Sequence, residues 1–200
     1  MTPDIAEIIH TSGGYCDANS KSRLLDAPST HNRSARQRFI EWSRHKKRWG
    51  PDTDSALLLL EILDSVLLLQ KDGSSKTNHH HAVLVLILAK DILSFGALPQ
   101  QLMLIAMYRS QVALIKRLFQ HYHIDVAVNT VDSSEGKEAP IVIVDLTTPA
   151  RKHSEIGFLR DQRRISVAFS RAMDGRIVLG SAVMANLPTQ TPGEKMLSIT

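Results

Sequence analysis

Three short stretches hold the residue types from which phosphate chemistry is built. The densest is Val128-Asn129-Thr130-Val131-Asp132-Ser133-Ser134-Glu135-Gly136-Lys137-Glu138, where a β-branched run breaks into hydroxyls, acids and a glycine. Hydroxyls and free backbone N–H groups in such a turn can cradle phosphate oxygens, and Gly136 allows close backbone approach. The same residues also suit an ordinary polar loop with local Asp and Ser hydrogen bonds. A second stretch is Arg163-Arg164-Ile165-Ser166-Val167-Ala168-Phe169-Ser170-Arg171-Ala172. Its Ile165, Ala168 and Phe169 share a helical face, which makes them core. Arg164 and Arg171 lie two turns apart on one flank, and Arg171 could reach a phosphate on which charge develops. Solvation, or pairing with Asp161 or Glu155, explains both arginines equally well. The third stretch, Ile105-Ala106-Met107-Tyr108-Arg109-Ser110-Gln111, runs from a strand end into a helix start. There Tyr108 suits a base and Arg109 suits phosphates, but a structural tyrosine at a strand end is as common. Alone, no stretch outweighs its ordinary structural explanation.

The elements that must position these residues alternate in type. Residues 82–95 read as a helix closed by Gly96, and 102–107 as a short buried strand. Residues 110–122 are amphipathic, with Val112, Leu114, Ile115, Leu118 and Phe119 inward and Lys116, Arg117 and Gln120 outward. Two β-branched runs follow at 126–131 and 141–146, then a helix over 161–173 and a strand over 176–180. This alternation predicts an α/β fold, a parallel sheet with helices on both faces, preceded by a helical N-terminal segment. In an open parallel sheet, ligands sit at the C-terminal edge of the strands. Upstream, residues 1–35 read as irregular and 36–75 as a basic helical segment. Within the latter, Asp52, Thr53 and Asp54 offer N-caps for a buried helix running to about Gln70. The α/β domain proper is expected over 76–185, with a mobile Pro/Thr-rich tail over 186–200.

Composition narrows the classes. With 200 residues and 43% apolar content, the chain can bury one sizeable core. Its 24 basic and 20 acidic residues leave +4, which permits a polyanionic partner without requiring one. Seven of the basic residues fall between His31 and Gly50, beside the single acid Glu41. That cluster suits a localisation signal, a phosphate-contacting patch or a solvated helix face. Cys16 is the only cysteine, which excludes an internal disulfide and fits a nuclear or cytoplasmic setting. No membrane association is expected, because the best apolar run, 56–69, is short and carries Glu61 and Asp64. His79, His80 and His81 are consecutive, a spacing that seldom converges on one metal, and no thiolate supports them.

In order, spacing and wording, the three stretches resemble motifs IV, V and VI of superfamily 1 helicases of the up-frameshift group, which act on RNA or DNA. That family reads roughly Thr-Pro-Tyr-Arg-x-Gln, Thr-Val-Asp-Ser-x-Gln-Gly-x-Glu and Arg-Arg-x-Asn-Val-Ala-x-Thr/Ser-Arg-Ala. Asn78, and Ile156-Gly157-Phe158-Leu159, also look like the family, so the resemblance covers about half the chain. It implies the second, C-terminal RecA-like domain, of the P-loop NTPase-like class. It further implies that Tyr108 and Glu138 contact the adenine and ribose end of ATP, with Gln111 and Arg164 also on the nucleotide. Gly136 and Arg171 would sit at the γ-phosphate, with Arg171 as the arginine finger and Arg109 assisting. Thr130 and Ser133 would lie near the backbone of a nucleic-acid single strand or couple it to the nucleotide. No metal ligand is implied.

Departures from the family set the limits of that expectation. The sequence has no Gly-x-x-x-x-Gly-Lys-Ser/Thr loop and no strand-borne Asp-Glu pair, so hydrolysis of ATP requires a first RecA-like domain carrying both, which would also supply the magnesium. That domain would act in cis within a longer chain or in trans. The Gln-Tyr-Arg-Met segment that usually opens the second domain is missing too, so its first strand is expected to be absent or degenerate. Glu135 stands where the family has Gln. Two unit charges ~4 Å apart cost about 4 kcal/mol at an effective dielectric of 20, a repulsion Lys137 could soften. Ser166 for Asn and Met107 for Pro are mild changes. The chain alone is therefore not expected to hydrolyse ATP. The alternative is a non-catalytic, helicase-derived module that binds nucleic acid or protein.

Overall fold

A strand such as Leu102–Ala106, LMLIA, has no polar face to turn to solvent, so both its faces must be covered. The computed structural model describes residues 33–45, 57–62, 64–71, 73, 75–149 and 161–180. In chain order these form α1 (Ser34–His45), β1 (Leu57–Glu61), β2 (Leu67–Leu69), β3 (Lys76–Asn78), α2 (His79–Ser94), β4 (Leu102–Ala106) and α3 (Arg109–His121). There follow β5 (Ala127–Thr130), β6 (Ala139–Asp145), α4 (Gln162–Ser170) and β7 (Ala172–Gly180). Five strands make one sheet in the order β1-β7-β6-β4-β5, and every pairing in it is parallel. The α/β expectation with helices on both faces holds.

Alternation along the strands divides the core in two. Met103, Ile105, Val142, Val144 and Val178 face α4, where Ile165, Ala168 and Phe169 meet them. Leu104, Ile141, Ile143, Ile177 and Leu179 face the other way, toward α1, α2 and α3. α1 lays Phe39 and Trp42, each 1% exposed, onto that face. A Cβ at Gly175 would stand 2.6 Å from the Phe39 ring, so the glycine is what lets the aromatic lie on β7. Two of the basic residues of this segment are spent on packing. Arg38 donates to the carbonyl of Gly96 at 2.7 Å, and Arg33 pairs with Asp174 at 3.3 Å. Trp42 Nε1 donates to Asp91 at 2.7 Å, fastening α1 to α2.

The helix expected over the 52–70 region is not there. Leu57–Glu61 is an edge strand on β7, and Leu67–Leu69 forms an antiparallel hairpin with Lys76–Asn78. A leucine run favours helix by propensity, but backbone pairing to β7 overrides so weak a preference. β1 is therefore present where a missing or degenerate first strand was expected. The helix expected over 161–173 stops at Ser170, because the Arg171 carbonyl is taken by the amide of Ala139 at the head of β6. Gly96, at φ 99, ends α2 as anticipated. The N-cap positions 52–54, the expected irregular segment up to 32, residues 46–49 of the basic cluster, the 156–159 stretch and the tail lie outside the described residues.

Two buried charges lie on β7. Arg176 is fully buried, and desolvation lowers its pKa to about 9. Its NH1 donates to the Phe169 carbonyl at 2.7 Å and its guanidinium lies 4.5 Å from the Phe169 ring centre. Burial raises the Asp174 carboxyl above the ordinary 3.8, against the opposing pull of Arg33. A carboxyl raised in the folded state favours folding only below its unfolded pKa, and that contribution is lost as pH climbs through the folded value. Asp174→Asn, which can still accept from Arg33, should therefore melt at a higher temperature than wild type at pH 7. The two melting temperatures should converge as pH falls toward 3.8. Thermal melts across that range check this, and a wild-type advantage at pH 7 would contradict it.

Candidate functional site

Parallel pairing decides where each candidate residue goes. Ala106 is level with Thr130 on one side and Asp145 on the other, so β4, β5 and β6 end together. At that C-terminal edge a cavity of about 530 Å³ opens, lined by Gln70, Ser75, Tyr108, Arg109, Thr130, Asp132 and Arg164 among others. One wall is the β2–β3 hairpin stapled to the first turn of α3. There the Ser75 and Ser110 hydroxyls meet at 2.6 Å, and Ser110 Oγ donates to the Lys76 carbonyl at 2.8 Å. The other wall is the turn after β5 and the start of α4, joined by Arg164 Nε to Asp132 at 3.2 Å. The hairpin contribution was not legible in the sequence, because residues 67–69 read there as helix.

The cavity residues differ in what they offer. Arg109, exposed at the head of α3, has no hydrogen-bonding or ionic partner among the described residues. It is the cation that an anion would meet first. Tyr108 is 3% exposed and the Lys76 ammonium lies 5.4 Å from its ring centre, so it offers almost no open face to a base. Gln111 is buried and does not line the cavity. Its amide accepts from the Asn78 N–H at 2.8 Å and donates to Asp145 at 2.7 Å.

The turn after β5 is largely closed on itself. Thr130 N donates to Ser133 Oγ at 2.9 Å, and Ser133 N returns a bond to Thr130 Oγ1 at 3.2 Å. Ser134 N donates to the Val131 carbonyl and Lys137 N to the Ser134 carbonyl. These N–H groups are thus used locally, as in the ordinary polar loop that was one of the two sequence readings, rather than held open as a phosphate cradle. Lys137 reaches Asn129 Oδ1 at 2.8 Å, away from the role of countering Glu135.

Gly136, Glu138 and Arg171 are somewhere else. Ala139 is level with Ala172 at the opposite end of the sheet from Asp145. The six-residue step along β6 amounts to roughly 20 Å at ~3.3 Å per residue. There Arg171 caps α4, donating from Nε to the Val167 carbonyl at 3.0 Å and from NH2 to Ser170 Oγ at 2.7 Å. Its NH1 lies 3.5 Å from the Lys137 carbonyl, which brings it beside Gly136. The structure therefore gathers the candidates into two clusters, not the single ATP site expected from the sequence. Tyr108, Arg109, Thr130, Ser133 and Arg164 stand at the C-terminal edge, and Gly136, Glu138 and Arg171 at the far end of α4.

A family profile for an AAA domain matches residues 2–183. The chain belongs to the AAA domain family. Within it, the three stretches and the parallel sheet make this a C-terminal RecA-like domain of the up-frameshift-like superfamily 1 helicases. Over 74 residues it is 36% identical to an uncharacterized ATP-dependent helicase of Methanocaldococcus jannaschii, covering 37% of this chain and 11% of that protein. Over 118 residues it is 34% identical to the Homo sapiens DNA replication ATP-dependent helicase/nuclease DNA2, covering 58% and 11%. A regulator of nonsense transcripts 1 homolog of Arabidopsis thaliana shares 34% over 96 residues, covering 44% and 8%. The chain thus spans about a tenth of the length of these helicase relatives. No helix of the described residues is long and apolar enough to cross a membrane.

The helicase turn between β5 and β6 has a backbone requirement of its own. Gly136 sits at φ 74, and a Cβ there would meet nothing within 4 Å. Gly136→Ala should therefore cost about 1–2 kcal/mol through the left-handed backbone alone. Denaturant unfolding measures this, and an unchanged midpoint would contradict the assigned conformation.

Proposed function

We propose that the chain is the C-terminal motor half of an ATP-dependent superfamily 1 helicase acting on single-stranded RNA or DNA. The observation that carries this reading is the meeting of Arg171 with the Gly136–Lys137 turn across 34 residues of sequence. An arginine and a glycine turn held together at one end of the domain are what a transferring γ-phosphoryl group needs from the half-site opposite a P-loop. Glu138, exposed beside them, suits a ribose hydroxyl. The bonds that fold Arg171 back onto α4 would be exchanged for phosphate when the partner domain closes. That partner is a RecA-like domain with a P-loop and an Asp-Glu strand, in cis or in trans, and it would hold the magnesium.

The second cluster takes the other task. Arg109 and the Thr130–Ser133 hydroxyls line or border a cavity at the sheet edge about 20 Å along β6 from the Arg171 end, too far to share its phosphate, and Arg164 is turned toward that cavity by its bond to Asp132. Cations and hydroxyls at a sheet edge suit the sugar–phosphate backbone of a single strand. Arg109 then contacts strand phosphate, and Tyr108 supports it from beneath instead of stacking on adenine. The protein would work in the nucleus or cytoplasm, where such strands are found.

One observation favours a second reading, a helicase-derived module that binds without hydrolysis. Glu135 is exposed, and Lys137, its nearest cation in sequence, is turned to Asn129. Mixing the chain with a P-loop RecA-like domain of this family and assaying ATP turnover separates the two. The leading reading expects no turnover by the chain alone and strand-stimulated turnover in the mixture. It also expects a loss of roughly 10³-fold or more in Arg171→Ala. Strand binding with no turnover in the mixture would establish the second reading instead.

A further inference from the structure

Asp145, at the C-terminal end of β6, is fully buried and belongs to neither cluster. Its carboxylate accepts from three directions: His81 Nδ1 at 2.7 Å, Thr147 N at 2.7 Å and Gln111 Nε2 at 2.7 Å. Its carbonyl accepts a fourth bond, from Met107 N at 3.3 Å. A buried carboxylate is costly unless hydrogen bonds satisfy its oxygens, and here three partners, from α2, α3 and the turn after β6, do so. Met107 and Gln111 are the two ends of the segment that carries Tyr108, Arg109 and Ser110 into the cavity. One residue thus holds both ends of that segment.

The surroundings stiffen the arrangement. Asn78 caps α2 by accepting from His81 N at 3.1 Å, and both donates to and accepts from the Gln111 amide. It also donates to the Thr147 carbonyl at 3.1 Å. Thr147 is a β-branched residue at φ 64, inside a tight turn closed by Thr148 N on the Leu146 carbonyl at 2.6 Å. That conformation costs of order 1–3 kcal/mol and persists only where neighbours over-determine it. Asp145 and Asn78 supply those restraints.

We propose that Asp145 is the positioning residue of the cavity, tethering Met107 through its carbonyl and Gln111 through its carboxylate so that Arg109 is presented to strand phosphate. Gln111 is then a link in that tether and not a ligand contact, and His81 is the carboxylate's buried partner. The effect on binding rests on the strand-phosphate reading of the cavity; the tether itself does not.

The test uses the full chain with Asp145→Asn. An asparagine side chain can accept at only one of its two terminal atoms, so it cannot satisfy all three donors. Hydrogen exchange without ligand should show protection lost over 107–112 and retained in β6 and β7. Fluorescence anisotropy with a labelled single-stranded oligonucleotide should show affinity falling about tenfold or more. The slope of log affinity against log salt should flatten by about 0.7, the share of one phosphate contact. In an Arg109→Ala background, Asp145→Asn should weaken binding no further. Gln111→Met, which cuts one tether and leaves Asp145 with His81 and Thr147, should reproduce the local exchange if Asp145→Asn does not fold. Unchanged protection over 107–112, or uniform loss across the sheet, would overturn the positioning role. Additive losses with Arg109→Ala would overturn it too. Failure of the wild-type chain to bind the oligonucleotide would overturn the strand reading, while the exchange arm still decides the tether.

Discussion

Everything functional in this domain depends on the parallel pairing of β6, with β4 on one side and β7 on the other. A strand parallel to the one just left cannot be entered through a tight turn, so the chain leaving β5 at the C-terminal edge must travel the length of the sheet, past β4, before entering β6. That obligatory crossing is the stretch 131–138. Its first residues lie in the cavity wall beside Arg164, and its last lie beside Arg171. α4 runs back over part of that length, nine residues or about 13 Å, with Arg164 near its start and Arg171 just past its end. One connection and one helix therefore link the two clusters of candidate residues at opposite ends of the sheet. A shift of either could couple nucleotide occupancy at one end to strand contact at the other.

The polar interior marks where this coupling is anchored. Asp145 gathers Met107, Gln111, His81 and Thr147 at the top of β6, between two largely apolar core layers. Such groups are retained at a cost in desolvation, repaid only when every donor is met in good geometry. Arg176 and Asp174 show the other side of that rule. Each is buried with less complete compensation, and burial moves the pKa of each toward its neutral form.

Much of the fold was legible, for identifiable reasons. The β-branched and apolar runs at 102–106 and 139–145 have both faces covered, so local composition and tertiary environment agree. The 3.6-residue spacing of Val112, Ile115 and Phe119 likewise survives into the buried face of α3. Residues 57–69 misled because leucine carries no β signal of its own. Their state is set by β7, more than a hundred residues downstream, and by the Gln70–Ser75 turn. Among the site residues, order and spacing of motifs identified the family and pointed to the candidate side chains. They could not say which of those side chains share a place. That depends on strand register, which divides the residues expected at one ATP site between two ends of the sheet. Nor could sequence show that Gln111 turns inward, because its partners Asn78 and Asp145 become neighbours only in the folded sheet.

The central claim is that one domain presents two separate surfaces, a γ-phosphate half-site at Gly136, Glu138 and Arg171 and a strand-phosphate site at Arg109, Thr130 and Arg164. Amide shift mapping of the isotopically labelled chain, titrated separately with ATP and with a short single-stranded oligonucleotide, addresses it directly. The account predicts that ATP moves resonances around 135–138 and 171, and that the oligonucleotide moves those around 108–111, 130–133 and 164. Both ligands perturbing the same set of residues would contradict it.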